Sequence, residues 1–234
     1  MMKRTRKWMR CVLLLVTCLA ATAAGAERRY FQPGTSGTGW LKYVDSVPVM
    51  YLEGTPAEIG RQHAELTGRS LHPVVEMPRA TVKALGFERA WPLVSATSRV
   101  LLNNAPERFV SELEAVIATG GADRDGISVG NALIELRRMG GCSTFVVTPD
   151  RSATGELIFG RNFDFPAMQV LDKYSLVVIM RPKGRKAFAS VSYPGMIGVI
   201  SGMNESGLCV ATLDVYESGD GSAPRLTRPA CRSG

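Results

Sequence analysis

Three side chains in this 234-residue chain could form one thiol, cation and carboxylate site: Cys142, Arg161 and Asp164. A cysteine is nucleophilic mainly as its thiolate, and a nearby cation favours that charged form. Their spacing brings them together. Thr144 to Thr148 and Leu157 to Asn162 are short β-branched or aromatic runs around a turn of Pro, Asp, Ser and Gly, which predicts a β-hairpin. In an antiparallel pair the start of the first strand lies beside the end of the second, so Cys142 falls next to Arg161-Asn162-Phe163-Asp164. A plainer account uses the same residues: a cysteine buried as a small hydrophobe, and an arginine–aspartate surface pair of little energetic consequence.

The elements that must hold this hairpin are helical before it and extended after it. Thr55-Pro56-Ala57-Glu58 combines an N-cap threonine, a proline in the first turn and a glutamate three residues after the cap, so a helix starts there and ends near Gly68. Ile59, His63 and Leu66 share one face of it, which reads His63 as a hydrogen-bonded core histidine rather than a catalytic base. His72, before Pro73, is assigned no role. Residues 75–104 stay helical with breaks at Gly86 and Pro92. Pro106 opens a helix with Phe109, Leu113, Val116 and Ile117 on one stripe, closed by Gly120-Gly121. Asp123 to Gly126 is predicted as a turn, with Ser128 capping a last helix that carries Arg137 and Arg138 in its final turn.

Ahead of the helices, residues 27–39 read as an irregular lead-in and Trp40 to Leu52, with Pro48, as a short edge strand. After Cys142, strands are predicted at 143–148, 157–162, 175–181, 187–193, 197–202 and 208–214, a meander turned by Pro182 to Arg185 and by Met203 to Gly207. Leu176 to Met180 is apolar at every position, so both faces of that sheet are expected to be covered.

Hydrophobic residues make up 45% and charged residues 21%, ordinary values for a globular protein. The formal charge of +7 is not a nucleic-acid signal once located. Lys3, Arg4, Arg6, Lys7 and Arg10 are five of the 28 basic residues, and without them 23 face 21 acidic ones, a balance of +2. Those five head an apolar run from Cys11 to Ala20 and a small-residue close at Ala24-Gly25-Ala26, the pattern of a secretory signal peptide over residues 1–26. Export to the periplasm or the medium is expected, with no membrane span left after processing. The rival readings are a retained anchor, which needs roughly 17–25 apolar residues, and lipidation at Cys18. Processing leaves Cys142, Cys209 and Cys231, an odd number that points to a free thiol or an intermolecular bond. No metal-ligand cluster, phosphate loop or aromatic-interleaved basic patch occurs, so no metal, cofactor or nucleic acid is expected.

Gly141-Cys142-Ser-Thr followed by Gly160-Arg161-Asn162-Phe163-Asp164 resembles the N-terminal-nucleophile hydrolases of the choloylglycine hydrolase and penicillin V acylase group. It is more similar still to the self-processing acyl-coenzyme A:isopenicillin N acyltransferases. Leu52 to His63, Ser192 to Gly195, and Met203-Asn204-Glu205-Ser-Gly207-Leu208 before Ala211-Thr-Leu-Asp214 agree with the same family in the same order. The resemblance implies an α+β, four-layer αββα fold, with residues 27–141 as a mainly helical pro-region or α chain and residues 142–234 as the start of the catalytic β chain. It implies scission between Gly141 and Cys142, after which the two chains stay associated.

Cys142 is then a nucleophile whose own α-amine, a group with a pKa of about 7.7–8.0, shuttles its proton without any histidine. By the same resemblance Asp164 aligns amine and thiol, Arg161 supports the carboxylate and the thiolate, and Asp214 stands where the family places an oxyanion-hole asparagine or tyrosine. An ionised Asp214 side chain aimed at the oxyanion opposes its charge, so its backbone N–H is the useful donor. Asn162 and Asn204 are expected in structural turns near the site. The activity implied is cleavage of a small-molecule linear amide through a thioester, with water or an amine taking the acyl group. The family's remaining strands lie beyond this sequence, so the alternative is a truncated, non-catalytic secreted domain that keeps the fold.

Overall fold

The computed structural model describes residues 29–136 and 141–213, and those from Phe31 onward form one compact unit. The expectations for the signal peptide, Arg137, Arg138, Asp214 and Cys231 fall outside the described residues.

Residues 34–54 are more ordered than their composition suggests. Gly34–Ser36 forms β1, Gly39–Val44 β2 and Val47–Gly54 β3. The single edge strand expected at Trp40 to Leu52 is therefore a hairpin, because Asp45 and Ser46 adopt left-handed φ values of 45° and 68° and make a two-residue turn between Val44 and Val47. Nor does β3 lie at an edge. It pairs with β2 on one side and, in parallel, with β6 (Leu176–Pro182) on the other, from Val49↔Val177 to Gly54↔Pro182. Pro48 fits because it pairs only with Tyr43 of β2, one residue before the β6 ladder begins. Phe188–Ser192 (β7), Ser201–Asn204 (β8) and Cys209–Ala211 (β9) complete a seven-stranded mixed sheet as an antiparallel meander.

One face of this sheet is buried: Leu41, Met50, Leu52, Leu176, Val178 and Met180 are aligned by register and closed off from solvent. Helix α1 (Pro56–Thr67) lies over it, started by a complete Thr55–Glu58 capping box. Behind α1 come α2 (Leu71–Ala84), α3 (Trp91–Asn103), α4 (Glu107–Gly120) and α5 (Arg124–Leu136). Gly86, at φ 78°, does break the helices, whereas Pro92 sits in the first turn of α3 and starts one. Glycine sets the closest helix contacts: a Cβ at Gly60 would lie 2.2 Å from the Glu112 carbonyl of α4, and one at Gly126 would lie 2.4 Å from the Val75 carbonyl of α2.

Three expectations need correction. Helix α5 begins at Arg124, not near Ser128, because Asp123 Oδ2 accepts the Gly126 N–H at 3.0 Å and caps the chain one turn earlier; Ser128 is buried inside the helix. The strand expected at 197–202 starts only at Ser201, for a reason given below. Coverage of both sheet faces is not met among the described residues, since Val191 on the second face is 54% exposed. The region before Gly141 also contributes three strands to the sheet as well as its helices.

Candidate active site

The predicted hairpin forms as a separate two-stranded sheet of β4 (Gly141–Val147) and β5 (Ile158–Asp164), and its register sorts the chemical residues by face. Cys142 pairs with Phe163, so its side chain emerges on the face shared by Phe163 and Arg161, whereas Asn162 and Asp164 point to the other. On the first face Arg161 Nη2 lies 3.4 Å from Cys142 Sγ. The same nitrogen donates to the Thr212 carbonyl at 2.7 Å, which ties the hairpin to the segment after β9. The guanidinium also stacks 4.5 Å over the Phe163 ring, while its buried Nε has no hydrogen-bond partner. This cation is held in place by a carbonyl, a ring and a sulfur.

On the second face the Asp164 carboxylate takes both oxygens to Asn162 Nδ2, at 2.9 and 3.0 Å. Asp164 pairs with Gly141, and a methyl placed on Gly141 would sit 3.8 Å from Asp164 Oδ2. The carboxylate therefore stands beside the Gly141–Cys142 peptide, opposite the sulfur. Arg161 and Asp164 flank Cys142 from two sides and do not form an ion pair. Asn204 closes the β8–β9 turn, its Oδ1 accepting from the N–H groups of Ser206 and Leu208 at 3.0 Å each.

Beside the sulfur face lies a partly open cleft bounded by α2, α5, the end of β5 and the segment 193–200. Phe163 and Phe165, stacked at 5.5 Å, form one wall, and Tyr193 another. Burial pushes the Tyr193 phenol above its ordinary value, against the opposing charge of Arg161, so it stays a neutral hydroxyl next to the cation.

The segment that carries Tyr193 is clamped by two side chains that sequence reasoning did not connect to the site. His63 of α1, fully buried, accepts the Gly195 N–H on Nε2 at 3.0 Å. Asn131 of α5 donates to the Gly195 carbonyl at 2.8 Å and accepts the Ile197 N–H at 3.0 Å. With these backbone groups taken by side chains, the Ile197 N–H is not available to a ladder, so the expected strand loses its first residue. Burial lowers His63 to about 4, and the bond to Gly195 requires an unprotonated Nε2, leaving the proton on Nδ1. The only sequence signal for this arrangement was the inward position of His63 on its helix.

Among the described residues no group of three or more metal-ligating side chains occurs, and no helix is long and apolar enough to cross a membrane.

Residues 151–222 match the family model described as Acyl-coenzyme A:6-aminopenicillanic acid acyl-transferase. The matched span holds Arg161, Asn162, Asp164, Asn204 and Asp214; Cys142 lies before its start. The chain is also similar to an uncharacterized protein of Archaeoglobus fulgidus, 26% identical over 233 residues, covering 85% of this chain and 38% of that protein. The chain thus spans well under half the length of this relative.

Proposed function

We propose, from the match to an acyltransferase family model over residues 151–222, that this chain belongs to an acyltransferase or amidohydrolase whose nucleophile is Cys142. The reading further takes the protein to be exported and cut between Gly141 and Cys142, with residues 27–141 and 142–234 staying together in an αββα sandwich. The observation that carries it is the pair of flanking groups: Arg161 Nη2 3.4 Å from the sulfur, and Asp164 against the peptide on the other side.

In this reading the thiol first attacks the Gly141 carbonyl, moving the acyl group from nitrogen to sulfur. Water then releases the Gly141 carboxylate, leaving Cys142 with a free α-amine and thiol. In the reaction proper the α-amine accepts the thiol proton as sulfur attacks the substrate's carbonyl carbon, and it passes that proton to the departing nitrogen. A thioester remains on Cys142. Water or an amine attacks it, gives its proton to the α-amine, and the thiol is restored. Arg161 favours the thiolate whenever sulfur carries the charge, and Asp164 holds the α-amine in line. An oxyanion donor would be the backbone N–H of Asp214.

The test is the chemical identity of the mature ends. Intact-mass measurement and terminal sequencing of the full chain should find a terminus at Cys142, lost in Cys142→Ala. An uncut Gly141–Cys142 bond in a preparation that turns over amides would overturn the reading. An uncut bond in an inert preparation would favour the non-catalytic domain instead.

A further inference from the structure

We infer that the cleft between α2 and α5 receives the acyl part of the substrate, that this part is uncharged and apolar, and that Gly130 sets how long it can be. The cleft lining carries no charged side chain: it is built from residues such as Val75, Met77, Ile127, Phe163, Tyr193 and Ile200. Of its polar groups, the Asn131 amide is already engaged with Gly195 and Ile197. A carboxylate or ammonium group entering the cleft would lose its hydration and find no counter-charge, whereas each methylene gains from burial.

The cleft reaches the strand residue that faces the candidate nucleophile. Phe163, its wall, is the cross-strand partner of Cys142 and lies under the Arg161 guanidinium that reaches the sulfur.

Gly130 is the residue whose identity packing does not explain. It lies inside α5, where glycine costs about 1 kcal/mol relative to alanine. One turn earlier Gly126 is demanded by the Val75 carbonyl 2.4 Å from where its Cβ would be. A Cβ at Gly130 would meet nothing closer than Pro78 Cγ at 3.9 Å, an ordinary contact, so the helix packing has room for a side chain there. What the missing side chain leaves open is the floor of the cleft, which Gly130 lines.

This inference rests on the nucleophile reading only for which part of the substrate enters the cleft, and a binding measurement separates the two. The full chain carrying Cys142→Ala is titrated by ligand-observed NMR with butanamide, hexanamide, octanamide and adipamic acid, the last a six-carbon amide ending in a carboxylate. The dissociation constant should fall about fourfold per added methylene, and adipamic acid should bind at least about tenfold more weakly than hexanamide. Gly130→Leu in the same background should flatten the series from hexanamide upward. Gly130→Ala should shorten it less while raising the melting temperature, which shows that the helix tolerates side chains there.

A flat series, equal binding of adipamic acid, or an unchanged series in a folded Gly130→Leu protein overturns the inference. A graded series alongside a wild-type chain that never cleaves N-hexanoyl anilides supports the cleft and overturns only the nucleophile reading.

Discussion

Replacing Glu112 with glutamine should remove a loss of stability that the wild-type chain suffers as pH rises. Glu112 points inward from α4, its Oε1 has no hydrogen-bond partner, and burial pushes its carboxyl up from 4.5 to about 8. The folded chain therefore keeps a proton that the unfolded chain releases above 4.5. That contribution to stability is complete below 4.5 and is lost progressively as pH climbs to about 8.

At 1.36 kcal/mol per unit, the interval from pH 5 to pH 8 corresponds to about 4 kcal/mol. His63 works in the opposite direction. Burial lowers it from 6.5 to about 4, so its contribution is complete above 6.5 and is lost as pH falls toward 4. Between about pH 4.5 and 6.5 the two slopes cancel, and above 6.5 Glu112 acts alone, costing about 2 kcal/mol by pH 8. Glutamine keeps the shape and does not titrate.

Urea unfolding of both proteins at pH 5, 6, 7 and 8 measures the effect. The stability difference should move in favour of Glu112→Gln by about 4 kcal/mol across that range, whatever constant cost the amide carries from its own packing. A difference constant to within about 1 kcal/mol would refute the claim that this carboxyl stays neutral in the fold.

Arg161→Ala should slow iodoacetamide labelling of Cys142 severalfold and leave Cys209 unaffected, as read by peptide mass spectrometry; equal labelling of both cysteines in wild type would count against a special role for the pair. Asn131→Ala strands the Gly195 carbonyl and the Ile197 N–H, so it should cost about 1–3 kcal/mol and speed hydrogen exchange at Ile197. Gly60→Ala gains helix propensity yet drives a methyl into the Glu112 carbonyl, so a net loss of about 1–3 kcal/mol is expected in thermal unfolding; a stabilised variant would mean that α1 and α4 can part at little cost.

What could be read in advance was local. The capping box at Thr55, the glycine stop after α4 and the hairpin around residue 150 are each encoded within a few residues of where they act. The juxtaposition of Cys142 with Arg161 followed from strand pairing alone. The alternation of faces, equally readable, also separates Asp164 from Arg161, so the three groups surround the Cys142 backbone rather than cluster on one side. What escaped was non-local. His63 and Asn131 reach across more than sixty residues to hold Gly195 and delay β8, and nothing near Ile197 announces that its N–H is spoken for. The Thr212 carbonyl on Arg161 and the pairing of β3 with β6 are of the same kind, partners chosen by the assembled sheet.

That pairing has a further consequence for a severed molecule. Val49–Gly54 precedes the Gly141–Cys142 bond and Val177–Pro182 follows it, yet they are neighbours in mid-sheet, with two strands beyond one and three beyond the other. Were the bond broken, the halves would still share the β3–β6 hydrogen-bond ladder. They would elute as a single particle and resolve as two bands only in detergent. Refolding, unimolecular before the break, would become an encounter between two polypeptides whose yield depends on concentration, so maturation would make unfolding hard to reverse.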